Sequence, residues 1–340
     1  MAKEQANNID ITAGRLGIRA LPRQQVLITL AGVLLAMFLS SLDQTVVGTA
    51  MPRIVLDLGG FTQYTWVTTA YIITSTIAIP ITGKLIDMYG RKWFYLGGLV
   101  VFIVGSLLCG LSHTMTGLIL FRGLQGIGAG IMMANAFTVI GDIFPPAERG
   151  KYQGLMASTF GLSTIIGPTL GGYITDNPHM GWHWVFFINI PLAAIIVALF
   201  IFFFPALKPE QMRHKIDYLG ITTLVLAVVP MLVALTWGGV EYPWGSARII
   251  GMLVFSAAMI PLFIFFESRT EEPIIPLWIL KNRIVGVSIF IIFITGFGMF
   301  GGIIFIPLFF QGVLGQSATP SGTFLTPMML GLVAGSLISG

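Results

Sequence analysis

The sequence predicts an all-α integral membrane protein with about ten transmembrane helices. Three observations carry this. Only 9% of the 340 residues are charged, against about 25% in a soluble domain, while 55% are hydrophobic. Apolar runs long enough to cross a bilayer recur along the chain from residue 26 onward. Lys and Arg fall almost entirely in every second loop. Backbone in lipid must satisfy its own hydrogen bonds, and these runs are too long and too continuously apolar for barrel strands, so they are helices. The same composition excludes a soluble globular domain and a disordered chain. The pI near 9.3 does not signal a nucleic-acid partner, because the net charge is only +4 and the basic residues flank apolar spans. The single Cys109 excludes a disulfide framework.

Residues 1–25 form a polar tail with Lys3, Arg15, Arg19 and Arg23. The run at 26–48 is too long for a signal-peptide core and lacks a small-x-small cleavage site, so it is a retained first span. Further runs lie at 63–83, 93–112, 115–140, 152–175, 184–205, 217–237, 248–267, 284–311 and 322–340. Of the 18 Lys and Arg residues, 15 sit on the side of the N-terminal tail, only Arg53 and Arg248 on the other, and Arg122 within a span. That asymmetry places the N-terminus in the cytoplasm and supports the span count, since a missed span would scramble the alternation.

No catalytic constellation is present in the sequence. His113, His179, His183 and His214 lack metal-ligand spacing, no Ser lies in G-x-S-x-G, and no phosphate-binding G-x-x-x-x-G-K-[ST] occurs. The reading is therefore a non-enzyme with no cofactor and no ATP, whose work would draw on an ion gradient or on nothing. Gly126-Ile127-Gly128-Ala129-Gly130 has a faint dinucleotide-loop look, but it lies inside a span with no preceding strand and reads as helix packing.

Two charges lie inside spans. Asp43 sits about five residues from the outer end of its run, roughly 8 Å deep, and Arg122 about seven residues, roughly 10 Å. A charge at a span centre costs about 2.5–3.5 kcal/mol on insertion scales, so such residues mark function or a partner. Their opposite signs and similar depths fit a structural ion pair. They also fit a protonation switch in which Asp43 neutralises and releases Arg122, or charges that snorkel or line a water-filled vestibule. Gln125, about one turn from Arg122, is placed to hold its orientation or a water. Gly83-Lys84-Leu85-Ile86-Asp87-Met88-Tyr89-Gly90-Arg91-Lys92 makes a tight cytoplasmic turn, in which Asp87 can cap a helix or pair with Arg91. In Gly167-Pro168-Thr169-Leu170-Gly171-Gly172, Gly167 and Gly171 form a face for close helix approach and Pro168 permits a bend.

These stretches together resemble the major facilitator superfamily, and within it the fourteen-span drug:proton antiporter group. Leu42-Asp43-Gln44-Thr45 through Ala50-Met51-Pro52 resembles the group's first-span motif. Gly83 to Lys92 resembles the cytoplasmic signature, and Arg122 to Gly128 the fourth-span motif linked to proton coupling. Gly167-Pro168-x-x-Gly171-Gly172 resembles the fifth-span antiporter motif, and Trp182 to Pro191 the entry to span six. Met88 stands where Arg usually follows the signature Asp, Gly48 where Asn is common, Ser163 where Gly opens the fifth-span motif, and His183 where Arg is frequent.

The resemblance implies a major facilitator fold, with alternating-access, proton-coupled efflux of amphipathic drugs or toxic small molecules. It implies Asp43, Arg122 and Gln125 for proton coupling. Gly167, Pro168, Gly171 and Gly172 would serve conformational change, and Gly83, Asp87, Gly90, Arg91 and Lys92 a cytoplasmic gate. The expected partners are a small-molecule substrate and the lipid bilayer of the cell membrane. Export of another cargo (a lipid, siderophore or sugar conjugate), or a non-transporting truncated membrane protein, are the alternatives.

The implied organisation is a tail at 1–25 and a six-helix bundle at 26–205. A cytoplasmic linker with two extra spans follows at 206–267, and the start of an incomplete C-terminal bundle at 268–340. The run at 322–340 stops without a charged anchor at Gly340, so about four spans are expected to be missing and a partner chain could complete the assembly.

Overall fold

The computed structural model describes residues 22–177, 179–204, 216–270 and 272–312, with four isolated positions beyond. Most of the tail, the linker at 206–215 and the expected span at 322–340 lie outside the described residues.

Eleven helices run through the described residues. They are α1 (Arg23–Leu58), α2 (Tyr64–Tyr89), α3 (Arg91–Gly110), α4 (Met115–Ile143), α5 (Pro146–Asp176), α6 (Trp184–Phe187), α7 (Asn189–Phe203), α8 (Tyr218–Trp237), α9 (Ala247–Glu267), α10 (Leu277–Leu280) and α11 (Arg283–Gly312). Seven segments among the described residues have the length and apolarity to cross a bilayer, α6 and α7 counting as one. Although 31 residues long, α5 is not among them, because its Ser, Thr, Gly and Pro residues and the charges at its ends lower its mean hydropathy.

Two expected boundaries need correction. The first span was expected at 26–48, but α1 continues through Pro52 to Leu58. Apolarity ends where Thr49, Arg53 and Asp57 begin. The helix does not end there, because α5 packs beside it and Arg53 pairs with Asp57 one turn on at 3.8 Å. Asp43 therefore lies fifteen residues, about 22 Å, short of the helix end rather than about five residues. The expected span at 184–205 is broken at Ile188 into α6 and α7. Pro191 has no N–H for the Phe187 carbonyl, and the Ser106 hydroxyl donates instead to the adjacent Phe186 carbonyl at 2.8 Å.

The helices α1 to α7 form one bundle. α1 lies along α5, and α2 along α4; α3 packs on α4, and α7 on α1. These are the equivalent pairs when α1–α3 and α4–α7 are two copies of a three-span unit around a twofold axis. The glycines of α4 permit its two close neighbours. Gly126 and Gly130, four apart, share one face against Tyr71 and Ser75 of α2; Gly128, about 200° round the helix, faces Phe102 of α3. Any side chain at these positions would strike backbone atoms, which bears out the packing reading of this stretch. The α8–α9 hairpin stands beside α2.

Two apolar clusters fill the bundle. One runs through Val33, Leu39, Tyr95, Phe102, Ile140 and Phe200. The other runs through Val46, Ile54, Val67, Leu118, Trp182 and Phe186. Where the two clusters meet, α1, α3 and α4 bury polar side chains: Ser41 and Asp43, Ser106, then Arg122 and Gln125. The bundle thus carries one polar layer between two apolar ones.

Candidate functional site

The polar layer centres on Asp43. Its Oδ2 accepts from Arg122 Nη1 at 2.6 Å, and its Oδ1 accepts from Gln125 Nε2 at 2.9 Å and Asn189 Nδ2 at 2.8 Å. Arg122 Nη1 also donates to Gln125 Oε1 at 2.8 Å, and its Nε to the Val67 carbonyl at 3.4 Å. The guanidinium carbon lies 4.2 Å from the centroid of the Tyr71 ring, in cation–π range. Tyr71 is anchored in turn by its hydroxyl to Ser40 at 2.9 Å. Asn189 Nδ2 contacts Ser106 Oγ at 2.9 Å, and Cys109 Sγ lies 3.7 Å from Gln125 Oε1. Asp43 and Arg122 are each 1% exposed.

Contributions come from α1, α2, α3, α4 and α7, so the cluster ties together most of the bundle. Chain geometry explains the meeting of Arg122 and Gln125. They lie three apart on α4 and so point to one side, toward the face of α1 that carries Asp43. Asn189 reaches the layer because the break at Ile188 ends one helix and starts the next beside α3.

The chemistry follows from the enclosure. Both oxygens of Asp43 accept hydrogen bonds within the layer, and the Arg122 guanidinium is paired with it. Protonating this carboxylate would turn an acceptor into a donor and leave the Arg122 guanidinium buried without a counter-charge. Breaking a buried pair in this way costs about 3–5 kcal/mol, which favours movement of the helices that carry it.

The structure brings Asp43, Arg122 and Gln125 together at one point, and adds Asn189, Ser106 and Tyr71, which sequence reasoning did not single out. Asn189 lay in plain view in Phe187-Ile188-Asn189-Ile190-Pro191, but it stands near a span end, where a polar residue is ordinary.

Gly167 and Gly171 face α1. A Cβ on Gly167 would strike the Thr45 hydroxyl, and one on Gly171 the Thr49 hydroxyl and the Val46 carbonyl. Ser41, Thr45 and Thr49 thus meet Ser163, Gly167 and Gly171 in matching steps of four. Ser41 and Ser163 hydrogen-bond through their hydroxyls, and Thr45 Oγ1 donates to the Ser163 carbonyl at 3.1 Å. Ser163, where the resembled motif has Gly, therefore contributes a polar contact across the seam. Pro168 is exposed, and a Cβ on Gly172 would meet nothing within 4 Å, so these two do not share the seam.

The α2–α3 turn is made by Gly90 alone, at φ 95°, a conformation that favours glycine. Gly83, half-buried on α2, has open space at its Cβ position. Asp87 and Arg91 are 4.0 Å apart, at the limit of an ion pair, and the Asp87 side chain is 64% exposed. The close partner of Arg91 is instead Asp142 near the end of α4, a residue that sequence reasoning missed. Lys92 Nζ donates to the carbonyls of Ile201 and Phe204 at 2.8 and 2.9 Å, satisfying the end of α7.

At the opposite end of the bundle a cleft of about 720 Å³ opens between Arg53, Asp57, Asp176 and His183. Burial pushes His183 below its usual value, and the nearby Asp57 carboxylate partly offsets this.

The sequence profile of the Major Facilitator Superfamily matches residues 33–340. The chain is 47% identical over 320 residues to the multidrug transporter protein MdtP of Bacillus subtilis (strain 168), an alignment that covers 94% of this chain and 58% of that protein. It is 45% identical over 309 residues to multidrug resistance protein 3 of the same organism, covering 91% of this chain and 60% of that protein. The crystal structure of the human organic anion transporter MFSD10 (TETRAN) superposes with a TM-score of 0.50 at 17% identity, covering 68% of this chain and 60% of that one; this likeness concerns the fold alone. The chain spans about three fifths of the length of these two bacterial relatives. A multi-pass helical bundle with this profile match and these relatives belongs to the Major Facilitator Superfamily.

Proposed function

We propose that the chain works as part of a proton-coupled multidrug exporter of the fourteen-span antiporter group, with its N-terminus in the cytoplasm of a cell bearing it in the plasma membrane. The observation that carries the reading is the buried Asp43 carboxylate, held at once by Arg122, Gln125 and Asn189. A proton arriving at Asp43 dismantles contacts to α4 and α7 together, so protonation is translated into helix repacking and alternating access. The printed names of the two Bacillus subtilis relatives support a drug substrate, and the 15-to-2 bias of Lys and Arg between the two sets of loops supports the orientation. The α1–α5 glycine seam permits sliding without opening a leak, and the Arg91–Asp142 pair joins α3 to α4 at the cytoplasmic end.

The test is export of ethidium, a cationic amphipathic dye, from vesicles carrying the protein under an imposed pH gradient. Gradient-driven export is expected to be lost in Asp43→Asn while dye binding remains. Unchanged export in that variant would overturn the coupling role, and absence of export by the unaltered protein would overturn the drug reading.

A further inference from the structure

A pair of acidic side chains lies at the base of the α8–α9 hairpin, away from the Asp43 layer. Asp217 caps α8, its Oδ1 accepting from Gly220 N–H at 2.8 Å, and its Oδ2 is buried with no hydrogen-bond partner. Glu267, the last residue of α9, is 2% exposed. Its Oε1 accepts from Ile275 N–H at 2.5 Å, and its Oε2 is likewise buried with no partner. The two orphan oxygens converge over Gly220, where an added Cβ would touch both. Glycine at 220 is what lets the carboxyl groups meet.

Two buried acceptors facing each other need a donor between them. The surrounding charges do not supply one. The Arg269 guanidinium lies over the Phe265 ring at 4.0 Å from its centroid, and Lys84 of the neighbouring α2 is paired with Glu272 at 3.2 Å. Farther along α2, Asp87 lies beside Arg91, which turns to Asp142. α8 carries no charged residue, and the other charge on α9, Arg248, is at its far end. Among the described residues no cation comes within ion-pair distance of either carboxylate. A metal ion fits poorly: Ca²⁺ takes about six to eight oxygens and Mg²⁺ about six, whereas each carboxylate here has one oxygen left after its backbone contact. A proton needs only two.

We propose that Asp217 and Glu267 form a second proton-binding site, holding one proton between Oδ2 and Oε2, and that this proton clamps the segment around Ile275 to the base of the α8–α9 hairpin. With the proton present, one carboxyl donates to the other and Glu267 keeps its grip on Ile275 N–H. With the proton gone, two buried negative charges repel, and Glu267 swings away. The same segment is tied to the end of α2 by Lys84–Glu272, so the clamp lies on the connection between the bundle and α11. The site shares no residue with the Asp43 cluster, and its test does not depend on transport.

The experiment is hydrogen–deuterium exchange of the whole chain in lipid nanodiscs, from about pH 5 to about pH 9, the range buried acids reach. The readout is the protection factor of the Ile275 amide, corrected for intrinsic exchange. Protection is expected to be full at low pH and to fall about tenfold per pH unit once the shared proton leaves. Glu267→Gln and Asp217→Asn each place a fixed N–H donor between the same atoms, so either variant is expected to hold protection flat across the range. A flat profile in the unaltered chain overturns the proposal, as do variants that keep its slope. Protection that follows Na⁺ or Mg²⁺ at constant pH overturns it in favour of a cation.

Discussion

Asn189 Nδ2 and Asp43 Oδ1 stand 2.8 Å apart across 146 residues of chain. A hydrogen bond to an ionised, buried carboxylate contributes about 1.5–3 kcal/mol, roughly twice a neutral one. Asn189→Ala is expected to lose that amount, and Asn189→Asp more, because it sets a second carboxylate against the first. Ser106→Ala, which removes only neutral contacts to Asn189 and the Phe186 carbonyl, is expected to lose about 1 kcal/mol. Thermal unfolding midpoints in one detergent rank the three. An Asn189→Ala midpoint equal to that of the unaltered chain would show that the contact does not hold the bundle together.

The seam between α1 and α5 predicts a graded glycine series. Gly171→Ala forces its methyl group onto the Thr49 hydroxyl and the Val46 carbonyl and is expected to destabilise by about 1–3 kcal/mol. Thr49→Ala added to it recovers part of the loss, since the hydroxyl is then gone but the carbonyl remains. Gly172→Ala meets open space and is expected to stabilise by about 0.5–1 kcal/mol through helix propensity. Equal effects at 171 and 172 would show that α1 and α5 do not pack this closely.

At the α2–α3 turn the partners of Arg91 are unequal. The Arg91 and Asp142 side chains are 24% and 23% exposed, so their pair is screened less than the Asp87 contact, whose carboxylate is 64% exposed. A double-mutant cycle of Arg91→Gln with Asp142→Asn is expected to give a larger coupling energy than the cycle with Asp87→Asn, itself no more than about 1 kcal/mol. The reverse order would return Asp87 to the place that sequence reasoning assigned it.

Cys109 offers a built-in reporter of the polar layer. Its thiol is fully buried, 3.7 Å from Gln125 Oε1. If the Asp43 charge holds the layer closed, Asp43→Asn loosens it, and alkylation of Cys109 by N-ethylmaleimide is expected to accelerate by more than tenfold. A loss of about 1.4 kcal/mol of closure is enough for that factor. An unchanged labelling rate would mean that the layer stays shut without the charge.

The sequence by itself determined the all-α membrane fold and, among the described residues, the succession of long helices, because apolarity over a span length is a property of the chain alone. It also marked Asp43 and Arg122, since opposite charges inside spans are rare enough to read in isolation. The tertiary structure decided what those charges touch. Asn189 joins the site only because α7 begins beside α3, and Asp142 displaces Asp87 as the close partner of Arg91 only because α4 ends beside the α2–α3 turn. The Asp217–Glu267 pair was invisible for the same reason: in the sequence these are two ordinary charges at span ends, 50 residues apart. Hydropathy reports how each segment meets its solvent. Which polar atoms face each other depends on helix rotation and crossing, and those are settled by the glycine contacts of α4 and α5 and by the break at Ile188.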